Sequence, residues 1–358
     1  MSIARRARHW RALADGRVRC TLCPRRCRLA EGQRGACFVR ACRDGALVLS
    51  EEAARPLGCR PDPIEKKPLY HFLPGSLTYS FGTAGCNLAC RYCQNWEMSR
   101  ARAAVTGSGA TTDPARIVAA AGASGCRSLA FTYNDPVVFH EYALDCAAAA
   151  HAAGLYTVAV SAGYVLPAPR AEFYAVIDAA NIDLKAFDDR FYRRLCGARL
   201  APVLETLESL VHETAVWVEI TTMLIPGEND DPRRLHALSA WIARHLGCEV
   251  PLHLSAFHPA HRMRDHAATS VETLVRAREI AHANGLRHVY LGNLGAEIGR
   301  DTRCATCGAR LIMRAGYLMV GWALDDMGHC LVCGARCQGV FTTSTRDIVL
   351  NHPARAPT

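Results

Sequence analysis

The 358-residue chain is half apolar and carries a formal net charge of +9, enough material for one large barrel-type domain with small appendages. No apolar run reaches the roughly 18 residues of a membrane span. The basic start, Met1–Arg17, is followed by neither an apolar core nor a small-residue cleavage site, so a cytoplasmic protein without membrane contact is expected. Arg residues are scattered rather than massed, which argues against nucleic acid as a partner.

Residues 1–60 hold Cys20, Cys23, Cys27 and Cys37 among Arg, Gly and short polar stretches, with no long helical or strand period. They are expected to form a cysteine-rich metal-binding segment, followed by a proline-rich linker, Arg60-Pro61-Asp62-Pro63. From there to residue 298 the pattern alternates. Leu77–Gly82 reads as a strand and leads into a cysteine loop. Pro114–Ala123 is helical, with Thr112 or Asp113 as N-cap and proline in the first turn. Ser128–Thr132 is a strand, Val137–Ala153 a helix, Tyr156–Ser161 a strand, and a short helix lies near Arg170–Val176. The strand Ala180–Leu184 precedes helices near Asp188–Cys196 and Val203–Glu213. Trp217–Leu224, Pro251–Phe257 and His288–Leu291 read as further strands, separated by helices at Asp231–Leu246 and Val271–Asn284. Strands alternating with helices of this length imply an α/β fold with a parallel sheet and right-handed crossovers, a partial or complete (β/α) barrel. Residues 299–358 form a third unit with a tail. There Cys304-x2-Cys307 and Cys330-x2-Cys333 bracket strand-like residues, including Arg310–Arg314 and Tyr317–Trp322, in the manner of a zinc ribbon.

Cysteine carries the chemistry. Eighteen cysteines in a chain without an export signal point to metal thiolates rather than disulfides. Cys42, Cys59, Cys126, Cys146, Cys196, Cys248 and Cys337 are dispersed and read mostly as buried small hydrophobes. The central group, Cys86, Cys90 and Cys93, offers three thiolates to one face. A [4Fe–4S] cube has four irons, so three thiolates leave one iron open. The alternative is a three-cysteine zinc site completed by a distant histidine.

The run Cys86-x3-Cys90-x-Tyr92-Cys93 resembles the radical S-adenosylmethionine (SAM) signature. Its extension from Gly85 to Ser99 resembles the radical SAM enzyme of the AmmeMemoRadiSam system, a family related to the pyruvate formate-lyase activating enzymes. The likeness extends over Asp62–Gly75, Thr132–Pro136, Ser161–Tyr164, Asn181–Lys185, Ile225–Asp231 and Phe257–Pro259. It implies that Asp135, where the family has Glu, meets the SAM amino group, and that Ala162 replaces an Asn before Gly163. Asp183 and Lys185 match an Asp-x-Lys pair that meets the SAM ribose and carboxylate, charges suited to those partners. Ser161 would add a hydroxyl, Tyr92 would belong to the signature, and His258 would lie near SAM with the Phe257 ring facing adenine. The alternating pattern independently puts these residues on loops after successive strands, where barrel enzymes keep their active sites.

The implied reaction is reductive cleavage of SAM to methionine and a 5′-deoxyadenosyl radical that removes hydrogen from a substrate. A reductant such as flavodoxin or ferredoxin and partner proteins of the Memo and AMMECR types follow from the same resemblance. A glycyl-radical enzyme activase is the alternative. A non-catalytic metal- and nucleic-acid-binding protein is the third reading. For the outer groups, Cys304, Cys307, Cys330 and Cys333 point to structural zinc. Cys20, Cys23, Cys27 and Cys37 point to a second centre, zinc or iron–sulfur, set apart from the first by the proline linker.

Overall fold

The computed structural model describes residues 6–101, 112–295 and 297–341. At its centre an eight-stranded sheet contains seven parallel strands in chain order. These are β1 (Leu77–Gly82), β2 (Ser128–Phe131), β3 (Tyr156–Ser161), β4 (Ala179–Asp183), β5 (Trp217–Leu224), β6 (Leu252–Ala256) and β7 (Val289–Gly292). The longer helices between them are α1 (Pro114–Ala123), α2 (His140–Ala152), α3 (Pro167–Tyr174), α4 (Ala201–Glu213), α5 (Pro232–His245) and α6 (Val271–Ala283). Every residue of β2 is buried, as expected of a parallel strand covered on both faces. β7 lies at one edge of the sheet and an antiparallel strand, Leu57–Pro63, at the other, so the barrel is partial rather than closed.

Helix starts follow from local chemistry. Asp113, Asp231 and Ser270 each accept a hydrogen bond from a first-turn backbone N–H of α1, α5 and α6. The segment expected as one helix from Val137 begins instead with a 3-10 turn, Pro136–Phe139, capped by Asp135.

The run Arg60–Pro63 is not a linker. It belongs to the Leu57–Pro63 strand, with Pro61 opposite Tyr79 and Pro63 opposite Leu77, after a register shift between Leu57 and Arg60. An edge strand leaves one side of its backbone unpaired, which is where proline is tolerated.

The following segment closes the floor of the barrel, at the N-terminal ends of the strands. Ile64, Leu69, Phe72 and Leu73 pack on Ala130, Val158 and Ala179. Its polar anchor is Glu219 of β5, fully buried. Glu219 accepts hydrogen bonds from the Tyr70 and His71 backbone N–H groups and from Trp217 Nε1, and pairs with His253 Nε2 at 2.6 Å. Burial opposes its charge, but these partners win and hold its pKa down at about 2.

Two smaller units flank the barrel. Before it, Trp10–Ala12, Val18–Cys20 and Arg28–Leu29 form a three-stranded sheet, and Arg40–Arg43 pairs with Ala46–Leu49. This unit docks on α2 through a buried bidentate pair, Arg40 to Glu141, at 3.1 and 2.5 Å. After the barrel, Thr302–Arg303, Arg310–Ala315 and Leu318–Trp322 form a three-stranded antiparallel sheet. Its Arg314 reaches the barrel floor, donating to the Tyr70 carbonyl at 2.7 Å and standing 3.7 Å from the buried Glu65 carboxylate. No helix among the described residues is long and apolar enough to cross a membrane.

Candidate active site

A cleft of about 260 Å³ opens at the C-terminal ends of the parallel strands. Cys86, Cys90, Cys93 and Tyr92 line one side, and Asp135, Asp183 and Lys185 line the other parts of the rim. No fourth thiol and no imidazole is among the lining residues. The cleft lining therefore offers three sulfurs, which fits a cube with one exchangeable iron. Thr221 Oγ1, on β5, is buried, lines the cleft and has no hydrogen-bond partner. A buried hydroxyl left orphaned is costly unless something fills the space beside it. Thr221, Met223 and Ser255 face the cleft from β5 and β6; they lie in no motif, and only strand alternation would have marked them.

The cysteine loop is built by its backbone neighbours. Gly82, which ends β1, has no room for a side chain, because a Cβ there would stand 2.4 Å from the Thr132 carbonyl. Asn134 donates to the Gly85 carbonyl at 2.7 Å and accepts from the Thr83 N–H at 3.1 Å. From the opposite side a π-helical turn, Tyr192–Cys196, offers its carbonyls: the Ala89 N–H donates to Cys196 and the Arg91 N–H to Leu195, both at 2.8 Å. The π-turn also brings Cys196 Sγ to 3.1 Å from the Tyr92 hydroxyl and beside Cys90. Cys196 is thus no mere space-filler, and its distance in sequence hid it.

Asp135 lies in the cleft wall, yet its carboxylate is already engaged. It accepts from the Val137 and Ala162 backbone N–H groups, both at 3.0 Å, and from the Ser161 hydroxyl at 3.2 Å. Ser161 is buried behind Asp135 and does not line the cleft. These bonds make it a brace between the loops after β2 and β3. Asp135→Ala should therefore cost about 1–3 kcal/mol of unfolding free energy in SAM-free protein, the penalty for orphaned buried donors. Urea unfolding would measure it. Unchanged stability with weakened SAM binding would instead return the carboxylate to the cofactor.

Asp183 ends β4, and Lys185 Nζ donates to its carboxylate at 2.9 Å. Burial disfavours the ammonium, but Asp183, with the Cys90 and Cys196 sulfurs nearby, outweighs it and raises the lysine pKa well above its usual value. Asn229 fixes this corner by donating to the Lys185 and Met223 carbonyls at 2.7 and 2.9 Å. Phe257 and His258 do not line the cleft. Phe257 is fully buried, and the exposed His258 pairs with the Asn293 carbonyl at 3.0 Å. The loop after β6 does reach the cysteine loop, through the Arg262 N–H to the Arg91 carbonyl at 2.9 Å and through His261 stacked on Trp96.

The outer cysteines form two different arrangements. Cys304, Cys307, Cys330 and Cys333 bring their sulfurs within 4.8 Å of one another. Each pair sits on a matching knuckle closed by a left-handed glycine, Gly308 or Gly334, whose N–H donates to the carbonyl of Cys304 or Cys330. Cys20, Cys23, Cys27 and Cys37 line a separate small pocket.

A parallel barrel with three clustered cysteines on its first loop defines a class, and the family model of the radical SAM superfamily matches residues 81–239. Those residues therefore carry a radical SAM superfamily domain. The chain shares a family with an uncharacterized protein of Methanocaldococcus jannaschii, 37% identical over 333 residues that cover 93% of this chain and 98% of that one. The benzylsuccinate synthase activating enzyme of Thauera aromatica is 27% identical over 126 residues, 35% of this chain and 38% of that protein. Among solved structures, a domain of pyruvate-formate lyase-activating enzyme from Bacteroides vulgatus matches at 19% identity with a TM-score of 0.41, covering 46% of this chain and 99% of that one.

Proposed function

We propose that this chain cleaves SAM reductively and uses the resulting radical to remove hydrogen from a substrate, as a member of the AmmeMemoRadiSam system. The observation that carries the reading is the cleft itself, where three sulfurs and a carboxylate–ammonium pair face one space without a fourth ligand. The cluster and SAM would supply the electron transfer and the bond cleavage when bound. The chain's own part is to hold and orient. Cys86, Cys90 and Cys93 would anchor the iron. Lys185, kept cationic by Asp183, would pair with the SAM carboxylate, and the Asp183 carboxylate would meet the ribose. Thr221 Oγ1 is the donor left free for the same cofactor. Asp135 and Ser161 brace the wall on which SAM would rest. A one-electron donor of the flavodoxin or ferredoxin class fits this chemistry, as do protein partners of the Memo and AMMECR types.

The contracted cysteines at residues 304–333 would hold zinc as a structural clasp. A zinc–sulfur distance of about 2.3 Å in a tetrahedron spaces the sulfurs about 3.8 Å apart. Cys304–Cys333 and Cys307–Cys330 lie at 3.6 and 3.8 Å.

The test is anaerobic incubation of reconstituted enzyme with dithionite, SAM and candidate partner proteins, followed by product analysis. Methionine and 5′-deoxyadenosine in equal amounts are expected, with 5′-deoxyadenosine raised several-fold by the true substrate. No SAM cleavage under any reductant would overturn the reading. The similarity to an activating enzyme favours a second reading, activation of a glycyl-radical enzyme. It predicts a backbone glycyl radical on the partner, detectable by electron paramagnetic resonance.

A further inference from the structure

We propose that Cys20, Cys23, Cys27 and Cys37 hold a second iron–sulfur cluster, seated directly behind the loop that carries the first.

The sulfur spacing separates this site from a zinc site. The four sulfurs at residues 304–333 close to the edge length of a single tetrahedral ion. The four in the N-terminal unit do not contract to that spacing. They ring a small, partly open pocket lined also by Leu22, Leu29, Val138, Arg25, Arg40 and Asn87. Nor are Cys86, Cys90 and Cys93 drawn together to the spacing of a single ion around their cleft. An object larger than one ion fits between sulfurs so arranged.

The backbone is shaped for such an object. Cys20, Cys23 and Cys27 come from the hairpin joining the strands Val18–Cys20 and Arg28–Leu29, closed by the Cys20 N–H on the Cys27 carbonyl at 3.0 Å. Cys37 enters from the turn before Arg40–Arg43. Between Cys27 and Cys37 stands Gly35, where a Cβ would lie 3.8 Å from both sulfurs. A glycine there keeps the space between the sulfurs clear. The Arg40 side chain also lines this space.

The two sites share a wall. Asn87 lines the N-terminal cavity, while its neighbours Cys86 and Leu88 line the active-site cleft. The Cys37 carbonyl presses on Gly85, where a Cβ would stand 2.1 Å from it. Arg25 donates to the Asn87 carbonyl and, at 2.7 Å, to that of Gly197. The separation expected from a proline linker is absent, because that segment is a strand and the two cysteine loops touch.

The experiment uses the full chain, purified and reconstituted anaerobically with iron, sulfide and zinc together. Wild type is expected to bind about eight irons, and Cys86→Ala/Cys90→Ala/Cys93→Ala about four with matching sulfide. Adding Cys27→Ala and Cys37→Ala should remove those four irons and leave one zinc. Reduced with dithionite, one electron per cluster, wild type should show a spin-coupled resonance, and the triple variant a simple signal that SAM does not change. Two zincs and no iron in the triple variant would overturn the proposal. So would iron that survives the loss of Cys27 and Cys37, since it would belong to another site. The triple variant leaves the N-terminal unit intact, so its metal content decides the matter even if the larger variant fails to fold.

Discussion

Replacing Cys86, Cys90 and Cys93 together with Ala is expected to abolish 5′-deoxyadenosine formation from SAM. The loss should be complete rather than partial, because the three sulfurs are the only thiols in the cleft wall among the described residues and the open-iron chemistry has no other support. The fold should survive. All three side chains are only half-buried, and the loop is held by main-chain bonds to Asn134, Leu195 and Cys196 that do not involve them. Circular dichroism should match the wild type while reductant-dependent 5′-deoxyadenosine falls below detection. Product formation by the triple variant at the wild-type rate would falsify the assignment of the central cluster.

Breaking the buried pair between the N-terminal unit and α2 is expected to have the largest effect on stability. Arg40 and Glu141 have side chains 2% and 1% exposed, and Glu141 also accepts from the Arg8 N–H at 2.6 Å. Removing one partner leaves a buried charge uncompensated, so Arg40→Ala or Glu141→Ala should cost about 3–5 kcal/mol. The double variant Arg40→Met/Glu141→Leu should cost much less than the two single losses added, because an apolar pair of similar volume needs no charge compensation. Chemical denaturation of the four proteins gives the comparison. Additive losses would show that the two side chains act independently.

The barrel was legible because its signals are local. Apolar strand runs bounded by glycine, proline and capping residues place Leu77–Gly82, Tyr156–Ser161 and Trp217–Leu224 at the bounds the structure has, and other elements within a few residues. The cysteine loop was legible for the same reason. What sequence hid are features defined by distant partners. Proline at 61 and 63 reads as a linker until an edge position is known, and edge position is a property of the whole sheet. Cys196 reaches the cysteine loop across a hundred residues through a π-turn that has no compositional mark. Asp135 carries the family motif's charge, but its three donors come from two loops, so its role as a brace appears only once those loops are packed.

The floor of the barrel carries a consequence for how the molecule comes apart. Glu219 draws its partners from residues 70, 71, 217 and 253, and Arg314 from the ribbon joins the same buried group through Tyr70 and Glu65. Peeling away the ribbon would take Arg314 from the buried Glu65 carboxylate, and peeling away the 64–75 segment would take two backbone donors from Glu219. Neither can leave alone at low cost. The ribbon and barrel should therefore melt in one transition despite their separate cores. Heat should reveal a single cooperative body where the topology suggests two.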